Sequence, residues 1–107
     1  MTASDYGMVL TTTPTRADAV RIANMMIEEK LAACVQLMPI ESFYVWEGKT
    51  QNEPEILLLI KTRTALFDTA IARIKETHPY AVPEIVGAQF QAGFRPYLNW
   101  IGETTGG

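Results

Sequence analysis

The chain has 107 residues, of which 48% are hydrophobic and 20% charged, and its formal net charge is -3 with a pI near 5.0. This length predicts a single domain, residues 1–107, with one hydrophobic core. The acidic balance argues against a nucleic-acid partner, because nucleic-acid binding favours a basic face.

The first half of the chain is typical of a strand, a helix and a second strand. The apolar residues 7–10 predict a short strand that ends in a turn. Thr15 and Asp18 resemble a capping box, and the apolar residues that follow recur with a helical period. Those recurring positions are Ala19, Ile22, Ala23, Met26 and Ile27. From residue 33 to 46 the period changes to two, and Pro39 predicts a bend or bulge in that strand.

A long hairpin is predicted in the middle of the chain. Residues 47–53 form a polar turn, and residues 55–62 are so continuously apolar that they predict a strand buried on both faces. A second helix follows, with Thr64 as its expected cap. It should end by Thr77, because the proline at position 79 disfavours helical geometry in the residue before it.

The last elements complete a recognisable order. Residues 85–90 predict a fourth strand, and Pro96 suits the first turn of a final short helix. The order βαββαβ with a C-terminal helix predicts an α+β, ferredoxin-like fold with a four-stranded antiparallel sheet. Right-handed crossovers would place both long helices on one face of this sheet, which leaves the other face uncovered.

Large side chains in the second strand predict an oligomer. Residues 43–46 are Phe, Tyr, Val and Trp, and neighbours along a strand point to opposite faces. A monomer would therefore expose a sizeable apolar patch, and such patches usually mark interfaces. We expect an obligate oligomer with Tyr44 and Trp46 in the interface.

Three features bear on the cellular compartment. Residues 1–6 lack the basic and apolar regions of a secretory signal, and the longest aliphatic run, residues 56–60, is too short to span a bilayer. Cys34 is the single cysteine, so no disulfide can form within the chain. We therefore expect a soluble, cytoplasmic protein with no membrane partner.

Residues 78–84 form the segment of the chain that most indicates a functional site. The segment holds the single histidine, a tyrosine and a glutamate, and its two prolines make it rigid and extended. It is either a positioned site or a stiff joint between a helix and a strand. Under the first interpretation, Tyr80 and Glu84 face a cleft between subunits, and Lys61 either pairs with Glu84 or lines the same cleft.

The sequence offers few metal ligands and no catalytic set. A copper or zinc site needs three or four nitrogen or sulfur donors, and this chain supplies His78 and Cys34. The Ala-Ala-Cys-Val context of Cys34 favours a core position. No nucleophile elbow and no glycine-rich phosphate loop is present, so we expect no enzymatic activity.

Five separated blocks resemble the CutA family of divalent-cation tolerance proteins. The blocks are residues 31–35, 44–49, 55–62, 78–84 and 97–101, and they occur in the family's order. The resemblance implies a ferredoxin-like fold, a tight homotrimer built through the long hairpins, and tolerance to copper and other divalent ions. Thr11 and Thr77 stand where some members carry a thiol and a second histidine, so two of three proposed copper ligands are replaced here.

Two functional hypotheses follow. The first is a trimeric, cytoplasmic protein of divalent metal tolerance that binds or senses copper or another divalent metal weakly. The second is a trimeric scaffold or small-molecule sensor of the PII type, with clefts between subunits and no physiological metal. The resemblance implies architectural similarity to PII proteins, and the protein partner is unknown in either case.

Overall fold

The computed structural model describes residues 1–106 and contains a four-stranded antiparallel sheet. Along the chain the elements are β1 (Tyr6–Thr13), α1 (Arg16–Glu28), β2 (Cys34–Trp46), β3 (Lys49–Arg63), α2 (Phe67–Thr77), β4 (Ile85–Gln89) and α3 (Arg95–Thr104). The strands lie in the order β2-β3-β1-β4. The predicted α+β, βαββαβ arrangement with a C-terminal helix is confirmed.

Helices α1 and α2 pack on one face of the sheet and enclose the main core. Val9, Leu58 and Ile60 project from the strands into a cluster with apolar residues of both helices. The predicted start of α1 is confirmed, since the Thr15 hydroxyl accepts a hydrogen bond from the Asp18 amide at 3.1 Å. No helix among residues 1–106 has the length and apolar character needed to cross a bilayer.

The start of α2 differs from the prediction. Thr64 does not cap the helix, because its hydroxyl donates a hydrogen bond to the Ser4 carbonyl oxygen. A short 3₁₀ turn over residues 64–66 leads into α2 instead. The predicted end is confirmed, since α2 stops at Thr77 and His78 has extended backbone angles, φ -77° and ψ 138°.

Strands β2 and β3 form a long hairpin with a tighter turn than expected. Pairing runs from Cys34 opposite Lys61 to Trp46 opposite Lys49. Only Glu47 and Gly48 form the turn, and their φ angles of 51° and 76° are typical of a type I′ hairpin. The expected bulge at Pro39 is also wrong: pairing continues in register through Pro39, which the sheet accommodates because β2 is an edge strand.

The sheet face opposite α1 and α2 is largely uncovered in the single chain. Helix α3 covers one end of it, where Leu98 and Ile101 pack with Tyr6. The expectation that β3 is buried on both faces is therefore only half right. Residues 58 and 60 are fully buried beneath the helices, whereas Leu57 and Leu59 on the opposite face remain partly exposed.

Candidate functional site

A cleft of about 490 Å³ lies between the tip of the hairpin and the segment of residues 79–84. Ten residues line it: Thr12, Tyr44, Trp46, Glu53, Glu55, Pro79, Tyr80, Ala81, Val82 and Glu84. Four of the side chains singled out from the sequence, at positions 44, 46, 80 and 84, meet here within one chain. The strand residues among them belong to the sheet face that α1 and α2 leave uncovered.

A buried carboxylate forms the back of the cleft. Glu55 is only 7% exposed, and its Oε2 accepts a hydrogen bond of 2.9 Å from the Tyr80 hydroxyl. Burial, and then the hydrogen bond to Glu55, raise the pKa of the Tyr80 phenol well above its usual value. The phenol therefore stays protonated and neutral at physiological pH, so it donates to Glu55 without adding a second negative charge.

A second tyrosine–glutamate pair lies nearer the hairpin tip. The Tyr44 hydroxyl donates to Glu53 Oε2 at 3.2 Å. The two residues are diagonal neighbours, because Tyr44 lies opposite Gln51 and Ser42 lies opposite Glu53. Desolvation, and then the hydrogen bond to Glu53, raise the pKa of Tyr44.

His78 lies behind the cleft, where both of its ring nitrogens are engaged within the chain. Nε2 is 2.7 Å from the carbonyl oxygen of Thr12, and Nδ1 is 3.1 Å from the backbone nitrogen of Tyr80. A carbonyl only accepts and an amide only donates, so Nε2 carries the proton and Nδ1 accepts. Burial lowers the pKa of the imidazole. His78 is thus a neutral clamp that fixes the Tyr80 segment to β1, and it has no free lone pair for a metal ion.

Cys34 and Lys61 lie outside the cleft. They pair with each other across β2 and β3, whereas Thr12 at the cleft pairs with Leu57, four residues away along β3. At about 3.3 Å per residue, this separation is roughly 13 Å. Lys61 therefore lies apart from the cleft of the single chain, and the ion pairs within residues 1–106 do not include one between Lys61 and Glu84. Its expected place in a cleft between subunits stays a prediction.

The contacts of the two side chains agree with this position. The ammonium of Lys61 donates to the Gln36 side-chain oxygen instead of an acidic group. Cys34 is half-buried, so the expected core position is wrong for the single chain.

The candidate metal ligands do not converge. Thr12, which His78 bonds, lies about 13 Å along the strands and two strands across from Cys34. Residues 1–106 also contain no cluster of three or more His, Cys, Asp or Glu suited to a metal ion. Thr11 is fully buried, and the Thr77 hydroxyl donates to the Ile74 carbonyl at 3.2 Å. A resident metal centre therefore does not fit the donors of one chain.

Sequence reasoning did not place the two strand carboxylates in this site. The sequence places Glu53 at the end of the predicted polar turn and Glu55 at the start of the predicted apolar strand, and neither position by itself indicates a site. The alternation of strand residues contained the relevant information, since positions 53 and 55 share a face. That face could be matched to Tyr44 and Trp46 only with the hairpin register, which depends on the two-residue turn.

The fold and the site together define a class of protein: a small ferredoxin-like domain with a projecting hairpin and an acidic, aromatic cleft beside the outer half of that hairpin. Within that class, the chain matches the family model for the CutA1 divalent ion tolerance protein over residues 7–104. It belongs to the CutA1 family, as its five sequence blocks predicted.

Individual relatives agree along nearly the whole chain. The divalent-cation tolerance protein CutA of Thermus thermophilus is 45% identical over 100 residues, which is 92% of this chain and 97% of the relative. The structure of CutA from Xylella fastidiosa superimposes with a TM-score of 0.92 at 38% identity, covering 95% of this chain and 99% of that one. An Archaeoglobus fulgidus structure, described as a periplasmic divalent cation tolerance protein, gives a TM-score of 0.91 at 37% identity, covering 94% and 98%.

Proposed function

We propose that this protein acts in tolerance to divalent cations, with copper as the first candidate, and that it binds or senses rather than catalyses. The observation that carries this proposal is membership of the CutA1 family over residues 7–104. Relatives at 45% and 37% identity carry the name divalent-cation tolerance protein. This evidence favours metal tolerance over the PII-type alternative.

The proposed working unit is a homotrimer. Its support is the uncovered sheet face, where Met38 and Val86 are 46% and 49% exposed, together with the trimer that the family resemblance implies. In such an assembly the hairpin carrying Tyr44 and Trp46 would contact a neighbouring subunit. The cleft beside the outer half of the hairpin would then adjoin that neighbour.

We further propose that copper binding is weak and does not use a preformed site on one chain. The imidazole of His78 is bonded at both nitrogens, and Cys34 is displaced from its partner Thr12 by about 13 Å along the strands and by two strands across the sheet. A metal ion would have to break the bond from the Tyr80 amide before His78 could bind it. Coordination therefore competes with the folded geometry of the segment.

Copper titration by calorimetry tests the ligand set. We expect the affinity to remain low and to be unchanged in His78→Ala, with Cys34→Ser as the matched test of the thiol. Because His78 clamps the segment, His78→Ala should lower thermal stability at the same time. Tight stoichiometric copper binding that disappears in His78→Ala would contradict this view of the imidazole.

Growth of the native host tests the function itself. A strain that lacks the gene should grow less well than the parent at elevated copper, and the wild-type chain should restore growth. Parallel cultures with zinc and cobalt distinguish a general divalent effect from a copper effect. Equal growth of both strains under all three metals would overturn the proposal.

We also propose a cytoplasmic location. The support is Cys34, the single cysteine, which can form no disulfide within the chain. The Archaeoglobus fulgidus relative is described as periplasmic, so fractionation of native cells is needed. Recovery of the protein with periplasmic markers would contradict the proposal.

A further inference from the structure

The outer half of the long hairpin extends beyond the body of the domain. Strand β3 pairs with β1 only as far as Ile56, which lies opposite Thr13. Beyond that point, residues 40–55 pair only with one another and with no third strand. This ribbon, called the arm below, is roughly 20 Å long at about 3.3 Å per residue. An isolated two-stranded ribbon is only marginally stable, so the arm depends on other contacts for a fixed direction.

Few contacts join the arm to the body of the chain. None of residues 40–55 belongs to either apolar cluster of residues 1–106, and Glu55, at the base of the arm, is the only buried residue among them. The other side-chain hydrogen bonds of the arm stay within it. Besides the strand pairing itself, the bond of 2.9 Å from the Tyr80 hydroxyl to Glu55 Oε2 is the one hydrogen bond between the arm and the rest of the described chain.

Tyr80 is itself fixed to the body independently of the arm. The segment of residues 78–84 contains two prolines, and its histidine bonds both the Thr12 carbonyl and the Tyr80 amide. The Lys75 ammonium donates to the Ala81 carbonyl oxygen at 3.0 Å and holds the same segment to α2. Tyr80 is therefore a rigid point on the body against which the arm can be oriented.

We propose that the hydrogen bond between Tyr80 and Glu55 fixes the direction of the arm. Because Tyr44 and Trp46 lie on the arm and line the same cleft, the bond also positions them for contact with a second copy of the chain. A rotation of about 10° at the base would move a tip roughly 20 Å away by about 3 Å, so small changes at Glu55 are amplified. The positioning for contact rests on the proposed homotrimer, whereas the direction of the arm does not.

Pulsed electron paramagnetic resonance on the full chain tests the direction of the arm. Nitroxide labels at Thr50→Cys on the arm and Asn24→Cys on α1, in the Cys34→Ser background, report the distance between arm and body. Both labelled positions are exposed, and labelled chains are diluted into unlabelled protein so that each assembly carries one of them. We expect a broader distance distribution in Tyr80→Phe than in the parent. Identical distributions would overturn the proposal.

Matched variants separate this bond from a general loss of stability. Tyr6→Phe removes a buried phenol hydroxyl at the far end of the sheet, where its partner is the Met1 sulfur, and should leave the distribution unchanged. Glu55→Gln keeps an oxygen that accepts from Tyr80 and should stay close to the parent. Glu55→Ala should resemble Tyr80→Phe and add nothing to it in the double variant, and it serves if Tyr80→Phe does not fold. Equal broadening in Tyr6→Phe would reject a specific role for the bond.

Dilution of the assembled protein tests the consequence for contact between copies. By sedimentation, Tyr80→Phe should dissociate at a concentration at least about tenfold higher than the parent, as loss of a bond to a charged group implies, and Glu55→Gln should not. A broader distribution with unchanged dissociation would overturn the positioning of Tyr44 and Trp46. A wild type that sediments as a monomer would reject the proposed homotrimer instead, and the distance measurement would still decide the direction of the arm.

Discussion

At the scale of single residues, His78 explains why a short polar segment has one defined geometry. The prolines at 79 and 83 restrict the backbone, but the imidazole determines where the segment lies by bonding Thr12 on β1 and the amide of Tyr80. Both bonds require the neutral ring with its proton on Nε2. The same ring also lies 5.1 Å from the ring of Tyr80, so the clamp and the cleft wall are one packed unit.

The neutral clamp predicts a pH dependence of stability. Burial lowers the pKa of His78 below its ordinary value of 6.5, so the unfolded chain takes up the proton before the folded chain does. The stabilisation is therefore complete above pH 6.5 and is lost as the pH falls from 6.5 through the folded pKa. Urea unfolding between pH 7.5 and 5.5 should show a decreasing free energy of unfolding. In His78→Ala this part of the decrease should be absent, and an identical decrease in both proteins would contradict the assignment.

The two tyrosine–glutamate pairs provide a matched test of burial. Tyr80→Phe leaves a buried carboxylate without its donor and should lower the free energy of unfolding by about 1–3 kcal/mol. Tyr44→Phe removes the same hydroxyl from Glu53, which is exposed, and should cost less than about 0.5 kcal/mol. Chemical denaturation of both variants measures the difference. Equal losses would mean that burial of Glu55 does not determine the contribution of its hydrogen bond.

At the scale of elements, local rules predicted the helix and strand order and failed where tertiary contacts compete. Thr15 caps α1 as expected, because its cap bond needs only residues three positions apart. Thr64 looked equivalent, yet its hydroxyl bonds to Ser4, sixty positions away, and α2 begins three residues later. Pro39 suggested a bulge, but a proline at an edge strand needs none. Long-range partners of this kind leave no local pattern in the sequence.

The site was predictable only in part, because it too depends on contacts between residues that are distant in the sequence. The two prolines marked the rigid segment around Tyr80 and Glu84 directly. The sequence did not show which residues of β2 share a face with Glu55 of β3. That match depends on the hairpin register, which the two-residue turn at Glu47 and Gly48 fixes. A longer turn leaves the register open, so the contact between Tyr80 and Glu55 could not be derived from spacing.

The junction of β4 with α2 depends on the absence of a side chain at Gly87. A Cβ atom there would lie 2.6 Å from Cδ2 of the Phe67 ring, so Gly87→Ala should lower the free energy of unfolding by about 1–3 kcal/mol. Phe67→Leu should relieve part of this clash. A double-mutant cycle measured by urea denaturation should give a smaller loss for the double variant than the sum of the two single losses. Simple additivity would show that the ring is not the obstacle.

At the scale of the whole molecule, the sheet face opposite α1 and α2 is an apolar surface that the single chain leaves exposed. Helices α1 and α2 bury one face, and α3 reaches only the end near Tyr6. Exposed or half-buried apolar side chains continue from this face into the hairpin, where Trp46 remains 48% exposed. Because a stable monomer rarely exposes so continuous an apolar surface, the native protein is expected to bury it against copies of itself.

This expectation leads to a direct test of assembly. Sedimentation at micromolar concentration should give three times the 11.9 kDa mass of one chain. Trp46→Asp would place a charge on the uncovered face and should dissociate the trimer, since an interface would desolvate that charge without a partner. Val45→Asp is the matched control: Val45 is 70% exposed and points to the opposite side of the same strand, so this variant should remain assembled. A folded monomer in the wild type, or equal dissociation of both variants, would mean that this face is not the subunit interface.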